Sequence, residues 1–194
     1  MGGIILNFLL IGLIILFIGV MYILYSGLIN KKNEVLEALS GIDVQFQRRA
    51  VVIPNLLKLS SKYMSHEKSL FKEIAELRNS RISKYDKANP EQVKEHIDWE
   101  NKLTDTLGNL KITFENYPEL KSNGPIENAM NELAEVEANI SAARRYYNDS
   151  VTNLNNAVET FPSSFFANSM KINQYPYFQT SSENRKDINV SDYI

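Results

Sequence analysis

An uncharged apolar stretch near the N-terminus constrains the fold of this chain more than any other feature. Residues 4–29, IILNFLLIGLIILFIGVMYILYSGLI, contain no Asp, Glu, Lys or Arg. Because about 20 apolar residues in a helix cross a bilayer core of about 30 Å, this stretch is long enough to span a membrane. A secretory signal has a basic segment before a shorter apolar core, and no Lys or Arg precedes residue 4. We therefore predict an uncleaved transmembrane helix at 4–29, after a short N-terminus of residues 1–3.

The residues that follow the stretch predict its orientation. Lys31 and Lys32 lie directly after it, and Tyr22 and Tyr25 lie near the same end, where they would anchor the helix at the bilayer surface. Since Lys and Arg are in excess on the cytoplasmic side, we expect the N-terminus outside and the remaining chain in the cytoplasm.

Composition excludes several classes of protein. The chain has 194 residues and a net charge of −2, so no basic face predicts binding of nucleic acid. It has no cysteine, which excludes disulfides, thiolate zinc ligands and a thiol nucleophile. Glycine and proline are few, which favours a helical protein.

Apolar residues at steps of three and four predict an elongated antiparallel bundle of three long helices over residues 30–160. The all-α class follows, because no stretch alternates with the period of a strand. The first seam contains Val35, Leu39, Ile42, Phe46, Arg49, Ile53, Leu56, Ser60, Tyr63, Glu67, Leu70, Ile74 and Leu77. Pro90 begins the second helix, and the turn before the third contains Tyr117, Pro118, Gly124 and Pro125.

The predicted helices differ in length, which leaves two arrangements open. Residues 34–84 would form a helix of about 75 Å, against about 42 Å for 90–117. Either Pro54 breaks the first helix, so that four segments pack together, or Pro54 only kinks it. In the second arrangement the seam nearest the membrane pairs with another copy of the chain. We expect the kink and a homo-oligomer, because apolar periodicity continues on both sides of Pro54.

Charged residues occur at positions that should face a partner helix. An unpaired buried charge is costly, so we expect these side chains to meet as arginine–glutamate pairs that fix the register of the helices. Alternatively, Arg48 and Arg145 reach solvent. The predicted ion-pair seam contains Arg49, Glu67, Glu100, Glu137 and Arg144, with Arg48 and Glu115 close by.

No residue pattern predicts catalysis. The histidines, His66 and His96, lack a glutamate three residues before them, so neither forms the Glu-x-x-His motif of di-iron bundles. The sequence contains no Gly-x-Ser-x-Gly elbow and no glycine-rich phosphate loop. We predict no catalytic residue, no metal and no cofactor.

The last segment, 161–194, is rich in aromatic residues up to position 178 and contains two prolines. A disordered tail would be poorer in aromatics. We expect Phe165, Phe166, Tyr177 and Phe178 to fold back on the bundle, and VSDYI at 190–194 to dock again. The alternative is a tail that binds a partner.

Together the motifs resemble the bacterial LemA family over nearly the whole chain. The similar stretches are EALSGIDVQFQRRAVVIPNLL, YMSHE, FENYPELKSN and ELAEVEANISAARRYYNDSVTNLNNAVETFPSSFFA. The resemblance implies a cell-membrane protein with its N-terminus outside, a cytoplasmic helical bundle and no established enzymatic activity; a related branch is associated with magnetosome membranes. One departure is AVV at 50–52, where the family usually has an aspartate. The positions that match the family are Arg48, Arg49, Pro54, Asn55, Tyr63, Glu67, Glu115, Tyr117, Pro118, Leu120, Lys121, Glu137, Ile140, Arg144, Tyr147, Asn148, Asn155 and Pro162.

These observations favour a non-enzymatic, membrane-anchored scaffold that self-associates. The expected docking surface includes KYDKANPEQVKEH at 84–96, interpreted as the tip of the bundle. The alternatives are an adaptor or regulator of a membrane enzyme such as a protease, and, least favoured, a metal-dependent hydrolase.

Overall fold

The fold is described from a computed structural model, which covers residues 2–80, 84–121 and 123–179. These residues contain no strand, which confirms the all-α class. The segment VSDYI lies outside the described residues. The helices are α1 (Gly2–Ser60), α2 (Lys68–Asn79), α3 (Pro90–Glu115), α4 (Pro118–Lys121), α5 (Gly124–Glu159) and α6 (Ser163–Ser169).

Helix α1 carries both the apolar stretch and the first side of the bundle. It runs without interruption for 59 residues, or about 88 Å. The large apolar side chains from Phe8 to Val20 are exposed, and Leu28 is the first that is fully buried. An apolar surface of this size would be unstable in water, and the helix is long and apolar enough to cross a membrane.

The chain reverses direction at residues 61–67. Helix α1 continues past Pro54 and ends at Ser60, and α2 then returns beside it, so that Arg78 contacts Ala50. The prediction of one continuous helix over 34–84 is therefore wrong. Four antiparallel segments, α1, α2, α3 and α5, form the bundle, although the reversal does not occur at Pro54. The spacing of three and four residues between seam positions continues across the turn without a shift. Met64 is buried inside the turn as a helical core residue would be, so periodicity could not reveal the reversal.

A hydrogen bond from another helix compensates for Pro54. Proline has no N–H, so the carbonyl of Ala50, four residues earlier, loses its partner within α1. The Nε of Arg78 donates to this carbonyl at 3.0 Å. The proline thereby creates an acceptor through which α2 is attached to α1.

The seam nearest the membrane is covered within one chain. Val35, Leu39, Ile42 and Phe46 are buried in a cluster with residues of α5 and of the segment after α6. Helix α5 has 36 residues, or about 54 Å, which matches the stretch of α1 from Leu28 to Ser60. The argument that a second copy must cover this seam is therefore wrong.

The distal end of the bundle is formed by the turns between helices, and the loop before α3 does not belong to it. The distal end consists of residues 61–67 and 116–121, together with the start of α5 at Gly124 and Pro125; Pro118 begins α4 there. Asn89 caps α3 by accepting from the N–H of Glu91 at 3.0 Å. Residues 84–96 lie beside Asp43, halfway along the bundle, so the interpretation of this loop as the tip is wrong.

Candidate functional site

A buried polar layer divides the core of the bundle, and Arg49 lies at its centre. The Arg49 side chain has 0% of its surface exposed. Its Nη2 is paired with the Glu100 carboxylate, and its Nη1 donates to Glu137 Oε1 and to Thr104 Oγ1, both at 2.9 Å. Arg49 of α1 is thereby connected to α3 and to α5.

Thr104 completes the connection between the charged groups. Its hydroxyl donates to the Glu100 carbonyl at 2.9 Å and accepts from Arg49 and, at 3.3 Å, from Arg144 Nη2. A hydroxyl has one donor and two acceptor sites, so these contacts use its full capacity. Sequence reasoning missed Thr104, which lies four residues after Glu100 on the same face of α3.

Arg144 extends the layer toward the end of the described chain. Its guanidinium carbon lies 5.0 Å from the centre of the Phe178 ring and 5.9 Å from that of Phe46. Burial lowers the pKa of Arg144, and the charge of Arg49 lowers it further, while Glu137 opposes this effect. The aromatic faces and the carboxylates stabilise the cation in this setting.

A second polar cluster lies nearer the membrane. Asp43 pairs with Lys87 at 2.8 Å, accepts from the Tyr85 hydroxyl at 3.2 Å, and lies 3.3 Å from Nε2 of the buried His96. The His96 ring stacks on Tyr85 and meets Phe46 edge-on. Burial raises the pKa of Asp43, but the contacts with His96 and Lys87 outweigh it and hold this pKa below its usual value.

Two asparagines of α5 hold the segment after α6 in place. Asn155 accepts from the Tyr175 N–H at 2.9 Å and donates to the Tyr175 carbonyl at 3.0 Å. Asn148 makes the same pair of bonds with Phe178, each at 2.9 Å. The spacings agree, because seven helical residues and three extended residues both cover about 10 Å.

The aromatic residues of this segment differ in their surroundings. Phe178 is buried and Phe166 is half-buried, as predicted, whereas Phe165 is 69% exposed, so the prediction for it is wrong. In an extended segment neighbouring side chains point to opposite sides, so Tyr177 does not enter the core with Phe178. It remains 40% exposed, and its hydroxyl lies 3.4 Å from that of Thr152 on the surface of α5.

Comparison with known proteins identifies the family. Residues 38–191 match the LemA family. The chain belongs to the LemA family. It is 29% identical over 184 residues to Protein LemA of Metamycoplasma hominis, which covers 92% of this chain and 81% of that relative. It is 22% identical over 187 residues to the magnetosome proteins MamQ 1 and MamQ 2 of Paramagnetospirillum magneticum, which covers 86% of this chain and 68% of each.

The structure of this LemA-family chain brings together only part of the predicted ion-pair seam. Arg49, Glu100, Glu137 and Arg144 meet in the polar layer. Glu67 lies instead at the distal end, where it accepts from the Tyr117 hydroxyl at 3.3 Å.

Three of the charged residues considered in the sequence lie outside the layer. Arg48 precedes Arg49 by one residue, and Arg145 follows Arg144 by one residue. A step of one residue along a helix rotates the direction of the side chain by about 100°. Both are exposed, in agreement with the alternative interpretation, and Glu115 at the end of α3 is exposed as well.

The layer of this LemA-family protein is suited to fixing helix register. Arg49 pairs with Glu100 and Glu137, whereas Arg144 donates to Thr104, so both arginines are held by contacts within the fold. A cavity of about 370 Å³ opens beside Arg144 and Glu137, which explains why Glu137 is 30% exposed. Among the described residues, no group of three His, Asp or Glu side chains is placed to hold a metal ion.

Proposed function

We propose that this LemA-family protein is a non-catalytic scaffold of a bacterial membrane, with the bundle on the cytoplasmic side. The observation that carries the proposal is the continuity of α1, which passes from the apolar stretch into the bundle as one helix. A flexible linker would contain glycine and serine, whereas residues 30–39 are helical and packed from Val35 onward.

The continuous helix would hold the distal end at a fixed height. Leu28 is the first fully buried residue, and Ser60 ends α1. The intervening stretch rises about 50 Å, so the bundle would present its distal end about 50 Å from the bilayer. Lys31 and Lys32 at the base support the cytoplasmic side for the bundle.

The distal end is the docking surface that we propose for a partner protein. The Asn123 side chain donates to the Tyr63 hydroxyl at 2.9 Å, and Tyr117 donates to Glu67. These bonds connect the turn after α1 with the turn before α5 and make the end rigid. Tyr63 is exposed there, and tyrosine is enriched at protein interfaces.

The relatives support a structural role. Two of them are named magnetosome proteins, and the third is named only for its family. None of these names is that of an enzyme, which agrees with a protein that organises a membrane.

Proximity labelling in the native membrane tests the docking surface. We expect a discrete set of labelled neighbours that is lost in Tyr63→Ser and retained in Tyr146→Ser. Tyr146 is a matched control, because it is an exposed tyrosine on the outer side of α5. An identical set of neighbours for both variants would contradict the proposed surface.

The mass of the protein in detergent tests the mode of assembly. Several copies of the chain without other subunits would show that copies of the scaffold also assemble with one another. A single copy that purifies only as a subunit of one membrane enzyme would favour an adaptor of that enzyme over a scaffold.

A further inference from the structure

We propose that Phe161 and Phe165 insert into the lipid interface beside the transmembrane helix and form a second membrane contact of the bundle. Their side chains are 82% and 69% exposed, the largest exposures of any aromatic residue in the described part of the bundle. Exposed phenylalanines at the base of a membrane protein are suited to the boundary between headgroups and acyl chains.

The register of the bundle places these residues at the level of the membrane. The pair Arg49–Glu137 fixes α5 against α1. From this pair, a step of about 22 residues, or about 33 Å, toward the membrane leads to Gly27 in α1 and to Glu159 in α5. Helix α5 therefore ends at the height where the uncharged stretch of residues 4–29 ends, and Phe161 is the second residue after α5.

Helix α6 lies across this end of the bundle. Ala167 is fully buried and shares a core cluster with Leu28, and Phe166 packs against the same cluster. Phe165, which meets Phe166 edge-on, is on the other side of α6. The chain then leads back toward the distal end, because Tyr175 donates to the Lys87 carbonyl at 3.0 Å. Helix α6 and the turn before it are thus the part of the bundle nearest the bilayer.

The surroundings favour lipid as the occupant. By the same register, the two phenylalanines lie near the end of the uncharged stretch of α1, where the last large exposed side chains are Ile23 and Tyr25. Lys171, two residues after the end of α6, is exposed and has a φ of 53°, a backbone conformation that favours glycine. A lysine so close to the end of α6 would supply positive charge next to the headgroups.

A second contact would fix the tilt of the bundle. A single helix leaves a protein free to tilt about its crossing point, whereas aromatic anchors beside it restrict that motion. The docking surface at the distal end would then keep a defined direction as well as a defined height.

Spin labels measure the depth of these residues directly. The chain has no cysteine, so Phe165→Cys, Ile112→Cys and Phe17→Cys each give one labelled site in the full-length protein. Ile112 is a matched control, since it is similarly exposed but lies on α3 near the distal end. Phe17 tests the transmembrane placement of α1, on which the inference rests.

In bilayers of phosphatidylethanolamine and phosphatidylglycerol, power saturation compares access of oxygen with access of a water-soluble nickel chelate. We expect oxygen to dominate at positions 17 and 165 and the chelate to dominate at 112. Chelate access at 165 equal to that at 112 would overturn the second contact while leaving the transmembrane helix intact. Dipolar broadening at 165 that disappears on dilution with unlabelled protein would also overturn it, because a second copy would then be the occupant.

Discussion

The Nε of Arg78 donates a 3.0 Å hydrogen bond to the carbonyl of Ala50, the acceptor that Pro54 leaves without a partner in α1. This bond joins α1 to α2, two segments that the sequence predicted as parts of one continuous helix, and it explains how a proline is accommodated inside α1. Its consequence is that the roles of Pro54 and Arg78 are coupled.

A double-mutant cycle measures this coupling. Arg78→Ala in the wild-type chain leaves the Ala50 carbonyl unpaired, so we expect a loss of about 1.5–3 kcal/mol in the free energy of unfolding. In the Pro54→Ala background the helix supplies its own N–H to that carbonyl, and the same change should cost about 1 kcal/mol less. Urea unfolding followed by circular dichroism in detergent gives both values, and strictly additive effects would disprove the coupling.

Removal of the central charge tests the polar layer. Arg49→Met leaves the buried Glu100 without its main partner, so we expect a loss of about 3–5 kcal/mol in unfolding free energy. Adding Glu100→Leu should restore most of this loss, since an apolar pair of similar volume replaces a buried ion pair at little cost.

The neighbouring arginine provides the control for the layer. Arg48 is exposed, and Arg48→Met should change the unfolding free energy by no more than about 0.5 kcal/mol. Equal losses for the two single arginine variants would show that burial of the ion pair is not the cause.

Hydrogen exchange tests the attachment of the segment after α6. Asn155→Leu removes both bonds to Tyr175 and leaves its buried N–H unsatisfied. We expect the Tyr175 amide to exchange about tenfold faster, equivalent to about 1.4 kcal/mol. Asn156→Leu, a change at the exposed neighbouring position, should leave that rate unaltered. Unchanged protection in Asn155→Leu would refute the attachment.

Acid titration tests the Asp43 cluster. The pKa of Asp43 is below its ordinary value of 3.8, because the contacts with His96 and Lys87 outweigh the effect of burial. The ionised group therefore contributes stability that is present above pH 3.8 and is lost as the pH falls further. We expect the melting temperature of the wild type to fall more steeply below that pH than the melting temperature of Asp43→Asn. Parallel curves would argue against the contribution.

The seam positions explain how much of the fold the sequence could reveal. Arg49 and Glu100 occupy positions at which the helical repeat predicts an apolar, inward-facing side chain. A charge at such a position needs a partner, because an unpaired buried charge is costly. Helical phase also distinguishes Arg49 from Arg48: the repeat placed Arg49 in the inward-facing seam and left open only whether Arg48 pairs or reaches solvent. The reversal after Ser60 was not visible, because the turn contains neither glycine nor proline and preserves the phase of the seam.

Other contacts depend on long-range geometry that periodicity does not encode. Pro54 implies an unpaired carbonyl at Ala50, but only the reversed direction of α2 shows that Arg78 reaches it. Asn148 and Asn155, seven residues apart on one face of α5, are a signal for a partner that runs along that face. The identity of that partner follows only from the path of the chain after α6.

The central claim is that one uninterrupted helix joins the membrane to a rigid bundle. Ser61 is exposed at the distal end, and Ser61→Cys provides a unique site for a donor dye in the full-length protein. Energy transfer from this dye to acceptor lipids measures its height above the bilayer. The account predicts a narrow distribution centred near about 50 Å, as expected for a helix that rises without a break from Leu28. A broad distribution that extends to the membrane surface would contradict it.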